Sequence, residues 1–330
     1  MLLVSENVLV TGGAGYIGSH TCLRLAEAGF TPVAFDNLSN GHEAFVQWGP
    51  LERGDVRRRE DVERALDRWN PVGVIHFAAL IEVGLSFGQV GDFYETNVGG
   101  ALTVLRAMQA QNIQPFVFSS TCATYGEPHY LPLDEAHPQT PISPYGRTKL
   151  MVEQALQDLA AHGGIRPIIL RYFNAAGADP EGRIGERHDP ETHALPIAIE
   201  VAMGRRDAFS VFGEDYETRD GTAERDYVHV LDLADAHVLA LQRLLAGGAG
   251  SEAFNLGTGG GVTVRELLDE VGRVSHQPLP SVSRPRRAGD PPRLVADNRA
   301  ARETLGWNPK RNITDMARDA WGWHGRLDPA

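Results

Sequence analysis

Tyr145 and Lys149 stand four residues apart in Pro144-Tyr145-Gly146-Arg147-Thr148-Lys149. A helix beginning at Pro144 would put both on one face. A phenol with its ordinary pKa near 10 is a poor base at neutral pH, but a neighbouring ammonium favours the phenolate. Such a pair could take the proton of an alcohol. Taken alone, Tyr-x-x-x-Lys arises by chance and usually marks a solvated helix face. Upstream, Phe118-Ser119-Ser120-Thr121 closes an apolar run and would set its hydroxyls at a strand's carboxyl end. Thr121 is the hydroxyl expected to bond the reacting oxygen, with a plain Ser/Thr turn as the alternative. Cys122, next to it, has no base motif nearby and reads as a small packing residue.

Oxidising an alcohol needs an acceptor, and the first residues describe one. In Asn7-Val-Leu-Val-Thr-Gly-Gly-Ala-Gly-Tyr-Ile-Gly18 the glycines 12, 15 and 18 lie between an apolar strand and an amphipathic helix. Gly12 permits a sharp turn, Gly15 lets backbone approach a pyrophosphate, and Gly18 allows close helix packing. The anion then sits at the positive helix end that Tyr16 and Ile17 begin. Asp36 ends the next strand and suits ribose hydroxyls. Its carboxylate would repel a 2′-phosphate, and Asn37-Leu38-Ser39-Asn40 supplies no arginine to bind one, so NAD is expected over NADP. Asp36 could instead merely start a turn. Asp55 and Val56 are placed to meet the adenine. Phe77, Ala78 and Ala79 offer small residues where a dinucleotide would cross the sheet edge, or where helices would pack. Asn97, Ser119, Tyr145, Lys149 and Tyr172 complete the expected cofactor set, with Lys149 also able to hold the nicotinamide ribose.

Apolar runs at 7–11, 31–35, 72–77, 116–119 and 168–172 read as strands buried on both faces. Between them, residues 17–28, 60–69, 94–111 and 144–161 carry apolar side chains at spacings of three and four. This alternation predicts an α/β fold, a doubly wound parallel sheet of the Rossmann type over residues 1–174. Residues 175–330 predict a second, smaller α/β part rich in loops, with 225–250 packing back on the first. Helices 94–111 and 144–161 have more apolar positions than one sheet contact needs: Val98, Leu102 and Leu105, and Val152, Leu156 and Leu159. A homodimer would use them, and a fully covered monomer helix would too.

The chain has 330 residues, 31 Lys and Arg against 43 Asp and Glu, and a formal net charge of −12. That acidity argues against a nucleic-acid partner, whose affinity comes mainly from Lys and Arg on phosphates. Cys22 and Cys122 are too few for a disulfide framework, and no Cys/His pattern has zinc-site spacing, so no metal is expected. No apolar stretch approaches a membrane span and no basic leader precedes Asn7, so no membrane partner and a cytoplasmic location are expected. The 36 glycines exceed average usage. Gly257, Gly259, Gly260 and Gly261 read as plain loop residues.

TGGAGYIGSH, the strand-end Asp36-Asn37-Leu38, FSSTCATYG, SPYGRTK, RYFNAAGA and RDYVHVLDLADAH, in order over nearly the whole chain, resemble the extended short-chain dehydrogenase/reductase family. Within it they are similar to the nucleotide-sugar 4-epimerases. The resemblance implies an NAD-dependent isomerase acting at C4 of a UDP-sugar, with UDP-galactose and UDP-glucose as the pair. It implies that Tyr145, Lys149 and Thr121 are catalytic. It also implies that Asn174 and His193 meet the sugar-nucleotide diphosphate, Phe212 the uracil, Arg225 and Arg287 the phosphates, and Asp290 the uridine ribose. Read without it, Asn174 could cap a helix, Arg225 make a surface ion pair, and the arginines at 284–287 form a solvated turn. Cys122-Ala123 stands where related dehydratases carry an acidic pair, so elimination of water is not expected. Leu294, where some relatives have a bulky Tyr, would leave room for an N-acetyl group. UDP-N-acetylhexosamines, UDP-pentoses, or NAD binding without catalysis are the alternatives.

Overall fold

The computed structural model describes residues 6–248, 250–287 and 291–327. Its first half runs β1 (Asn7–Thr11), α1 (Tyr16–Glu27), β2 (Thr31–Asp36), β3 (Leu51–Arg53), α2 (Arg59–Trp69) and β4 (Gly73–His76). Two single-turn helices follow, α3 (Val83–Ser86) and α4 (Val90–Phe93), and a wider π-type turn (Tyr94–Gly99) leads into α5 (Gly100–Ala110). β5 (Pro115–Thr121), α6 (Pro144–His162) and β6 (Arg166–Tyr172) complete it. The second half holds β7 (Asn174–Ala176), α7 (Ala194–Ala202), β8 (Phe209–Phe212), β9 (Glu224–His229), α8 (Val230–Leu245) and β10 (Glu252–Leu256). It ends with β11 (Gly261–Thr263), α9 (Val264–Ser275), β12 (Ser281–Arg284), β13 (Arg293–Leu294) and α10 (Ile313–His324).

Strands β1 to β6, β-branched and apolar except for the short edge strand β3, are joined by β10 in one seven-stranded sheet, ordered β10-β6-β5-β4-β1-β2-β3. Every pairing in it is parallel. The winding reverses between β1 and β4, and the crevice beyond the carboxyl ends of strands at such a switch is where this architecture binds ligands. Parallel strands need both faces covered. On one face Leu25 of α1 and Leu233, Leu241 and Leu244 of α8 join the core. On the other, Val62 and Leu66 of α2, Leu105 and Met108 of α5, and Val152 and Leu156 of α6 do so.

The smaller part has its own core, with Leu195 and Ile199 of α7, Leu267 and Val271 of α9, and Met316 and Ala320 of α10. β9 is its centre. It pairs antiparallel with β11 and parallel with β7 and β13. A separate parallel pair joins β8 to β12, setting Phe212 opposite Arg284.

Three differences from the sequence expectations have physical reasons. β10 is a sheet strand supplied from the far side of a long excursion, and no local pattern signals that it returns to β6. Gly257 and Gly261, read as plain loop residues, are packing positions. A Cβ on Gly257 would come within 2.5 Å of Asp226 Oδ2, and one on Gly261 within 2.1 Å of Glu224 Oε1. The apolar surplus of α5 and α6 is also partly consumed inside one chain, where Leu105, Val152 and Leu156 are buried. No helix among the described residues is long and apolar enough to cross a membrane.

Candidate active site

The glycine turn fits a dinucleotide sterically. Gly12 has φ +71°, and a Cβ there would lie 2.8 Å from Ala78 N. A Cβ on Gly18 would meet the Gly12 carbonyl at 2.1 Å, so the helix can approach the turn only with glycine here. Gly15 caps α1 without a side chain, which leaves the first helical N–H groups pointing at the crevice. Ile17 packs on the α1–α8 side of the core, while the Tyr16 hydroxyl donates to Gly177 O at 2.6 Å and ties the turn to the smaller part.

Asp36 accepts from Ala14 N at 3.0 Å and from Leu38 N at 2.8 Å, one bond per oxygen. Burial raises its carboxyl above the usual range, and the two N–H donors oppose that. Each oxygen keeps a lone pair for a hydroxyl. Asn37 donates to Asp55, whose carboxyl is lowered to about 2 by its bonds to Arg57. Val56 is buried, and a Cβ on Gly100 would press on it at 2.8 Å. Phe77 N and Ala78 N both donate to Thr11 O, at 2.9 and 3.2 Å, which carries Ala78 and Ala79 across the mouth of the switch point. The Phe77 ring itself turns to His237 of α8, 4.6 Å away. Asn97 braces this region, accepting from Leu80 N at 2.8 Å and donating to Thr148 Oγ1 at 3.1 Å.

α6 starts where Ser143 accepts from Gly146 N at 3.1 Å and Pro144 takes the first turn. That start buries Tyr145 and Lys149 against the end of β5. Lys149 Nζ donates to Ser119 O at 2.8 Å and lies 6.0 Å from the centre of the Tyr145 ring. Burial lowers the Lys149 ammonium to about 7 and pushes the Tyr145 phenol well up, against a hydrogen bond from Thr121 that pulls it down. Ser119 Oγ is bonded to the Tyr172 hydroxyl, so the expected hydroxyls do gather around one point. The arrangement can accept a proton from a substrate alcohol once the site is filled and the phenolate is supported by positive charge.

The spacing Tyr-x-x-x-Lys-x-x-x-Glu also places Glu153 on this helix face, a residue the sequence reading passed over. Glu153 accepts from Ser120 Oγ and takes the Arg171 guanidinium at 2.6 Å, and both charged side chains are buried. Arg171 Nη1 also donates to the Tyr125 hydroxyl at 3.0 Å, and that hydroxyl donates to Asn255 at 2.7 Å. The network fixes the end of β5 one residue before Thr121. The signal for Glu153 was the i,i+4 step that follows Lys149; its partner on β6 was not signalled.

The residues expected for the sugar nucleotide fall in two groups. Arg225 is close enough to Cys122 to lower that thiol, whose burial pushes it up to about 12. Leu294 pairs in register with Arg225 and packs in the same cluster as Cys122 and Phe173. Asn174 belongs to β7, opposite Tyr227, and is no helix cap. In the other group the Arg287 guanidinium stacks on the Phe212 ring at 3.8 Å. His193 heads α7, with Nδ1 2.6 Å from Glu186 Oε1. Asp290 lies outside the described residues.

A doubly wound sheet with a phosphate turn at its switch point and a buried Tyr/Lys pair beside it is the framework of a nicotinamide-dependent enzyme. The NAD dependent epimerase/dehydratase family profile matches residues 8–257. The chain belongs to that family. It is 59% identical over 324 residues to UDP-glucose 4-epimerase from Rhizobium leguminosarum bv. trifolii, covering 98% of this chain and 99% of that one. The structure of UDP-glucose 4-epimerase from Brucella ovis in complex with NAD superposes with a TM-score of 0.95 at 48% identity, over 97% of this chain and 99% of that one. That from Bifidobacterium longum in complex with NAD+ and UDP gives 0.92 at 36% identity, over 97% and 98%.

Proposed function

We infer that this chain interconverts UDP-galactose and UDP-glucose by NAD-dependent oxidation at C4, rotation of the 4-keto sugar and re-reduction. The observation that carries this is the convergence of Thr121, Tyr145 and Lys149 beside the glycine turn, in a chain whose close relatives are UDP-glucose 4-epimerases. When bound, NAD would supply the redox chemistry at C4, with no net oxidation over the cycle. Gly12, Gly15, Tyr16, Ile17 and Gly18 would hold its pyrophosphate, Asp36 and Asn37 a ribose, and Asp55 and Val56 the adenine side.

Tyr145 takes the proton of the C4 hydroxyl and later returns it, while Thr121 holds that oxygen. Lys149 sets the charge beside the phenol. Burial alone keeps Tyr145 protonated, so the site becomes basic only when cationic charge is brought in, which couples proton removal to a filled site. Asn174, His193, Phe212, Arg225, Arg287 and Asp290 hold the UDP portion, leaving the sugar free to turn about its link to the diphosphate. In this reading NAD lies on residues 1–174 and the UDP-sugar against 175–330.

The test is to incubate the purified protein with UDP-galactose, without added NAD, and to look for UDP-glucose. Reduced cofactor accumulating without UDP-glucose would indicate a dehydrogenase instead. Nucleotide binding with no conversion would indicate a non-enzymatic NAD protein. We further propose that the chain forms a homodimer through the face where α3 meets α6. There Val83, Leu85, Phe87, Val90 and Met151 are exposed, and light scattering after gel filtration reads the mass directly.

A further inference from the structure

The loop leading into α7 carries Glu186, His188, Glu191 and His193 within eight residues. Their spacing matches no cysteine-based zinc pattern, but the loop folds back so that one donor atom from each lies within 4.8 Å of all the others. The two carboxylates are buried, each side chain only 4% exposed. Both imidazoles turn Nδ1 inward. His188 Nδ1 is 3.4 Å from Glu186 Oε1 and 3.6 Å from Glu191 Oε2. His193 Nδ1 is 2.6 Å from Glu186 Oε1 and 3.6 Å from Glu191 Oε1. Neither Nδ1 makes a well-aligned hydrogen bond, although both stand within ion-pair reach of the two carboxylates.

Two buried carboxylates facing one point require positive charge between them. Two imidazolium rings would answer that demand at the cost of repelling each other across 5.2 Å. A single cation at the point of convergence neutralises both carboxylates and uses both imidazole lone pairs. The ligands are oriented from behind: Thr192 N and His193 N donate to Glu191 Oε1 at 2.8 and 2.9 Å, and the Trp323 indole donates to Glu186 O at 2.8 Å.

We propose that Glu186, His188, Glu191 and His193 form a binding site for a divalent transition-metal ion of the zinc type. Two imidazole nitrogens and two carboxylate oxygens are a four-coordinate donor set, and a shell closed by four protein ligands is structural, not catalytic. The ion pins the loop that enters α7 against α10. It thereby steadies the side of the crevice where the UDP portion is proposed to bind. His193 meets the ion through Nδ1, and its side chain stays 43% exposed elsewhere, so its proposed contact with the substrate uses a different edge.

The test uses the full chain, stripped with a chelator and then titrated with cobalt(II). One equivalent should bind per chain, with the intense visible bands of four-coordinate cobalt, and zinc should displace it and raise the thermal midpoint. Glu186→Gln and His188→Gln should each weaken cobalt binding roughly 100-fold, while His162→Gln, at the exposed end of α6, should bind as the parent does. Because either loop substitution could loosen the loop by itself, X-ray absorption on the unaltered zinc-loaded chain provides an independent reading: a nitrogen and oxygen shell containing two imidazoles. No cobalt retained through gel filtration, a shell without imidazole, or parental affinity in both loop variants would overturn the site and leave an ion-pair network of protonated histidines.

Discussion

In the proposed assignment, the nucleotide half and the sugar half of this molecule would recognise phosphate by different means. At the switch point the proposed receptor is backbone: Gly12, Gly15 and Gly18, a helix N-terminus, and sterics so tight that a Cβ on Gly18 would fall 2.1 Å from Gly12 O. On the other side the proposed receptor is side chains, Arg225 on β9 and Arg287 after β12, carried by elements far apart in sequence. Backbone recognition compresses into a contiguous motif with fixed spacing. Side-chain recognition leaves isolated residues whose partners only the fold reveals. An acidic chain can hold two diphosphates in this way, because one site draws on dipoles and the other on a few local cations.

The contrast can be broken at its junction, where the largest effect is expected. Tyr145→Phe should lower kcat by about 10³-fold while NAD released on denaturation stays at the parental amount. A near-normal rate would remove the phenol from proton transfer. Gly18→Ala attacks the backbone half alone. It should reduce bound NAD by roughly 100-fold in affinity, since the collision is with a carbonyl that cannot move aside, and equilibrium dialysis reads it. Arg287→Ala attacks the side-chain half alone. KM for the UDP-sugar should rise about tenfold with kcat nearly unchanged; an equal loss of bound NAD would show that the two halves are not separable.

The smallest effect is a pH dependence. Burial lowers Lys149 to about 7, whereas in the unfolded chain a lysine titrates near 10.4. Between those values the unfolded chain holds the proton and the folded chain does not, so this group makes NAD-free protein more stable as pH rises. The gain is about 1 kcal/mol between pH 7 and pH 8. Urea midpoints at those two pH values should rise for the parent and stay flatter for Lys149→Met; equal slopes would refute the lowered ammonium.

Legibility followed the same division. Strand β1, the glycines and Asp36 could be read because turn, helix and strand end are neighbours in sequence, and Tyr145 with Lys149 because helical periodicity puts them on one face. Phe212 and Arg287 came only through family resemblance, since nothing local says that β8 and β12 pair. The Glu153 and Arg171 bond was not legible at all, because it joins α6 to β6 through the interior. Gly257 and Gly261 were misjudged for the same reason: the carboxylates of Asp226 and Glu224 that forbid a larger residue belong to a strand some thirty residues earlier.

β10 bears on how the chain must be made. The strand that completes the seven-stranded sheet, and α8 that covers α1, are translated only after β7, α7, β8 and β9. A ribosome that has released the glycine turn and the Tyr145/Lys149 pair has still delivered an open edge at β6 and a bare apolar face over β5 and β6. A fragment ending near Asn174 would therefore own most of the chemistry and still be a poor solitary protein, prone to pair its exposed strand with another copy. The two halves are built to be inherited, expressed and engineered together.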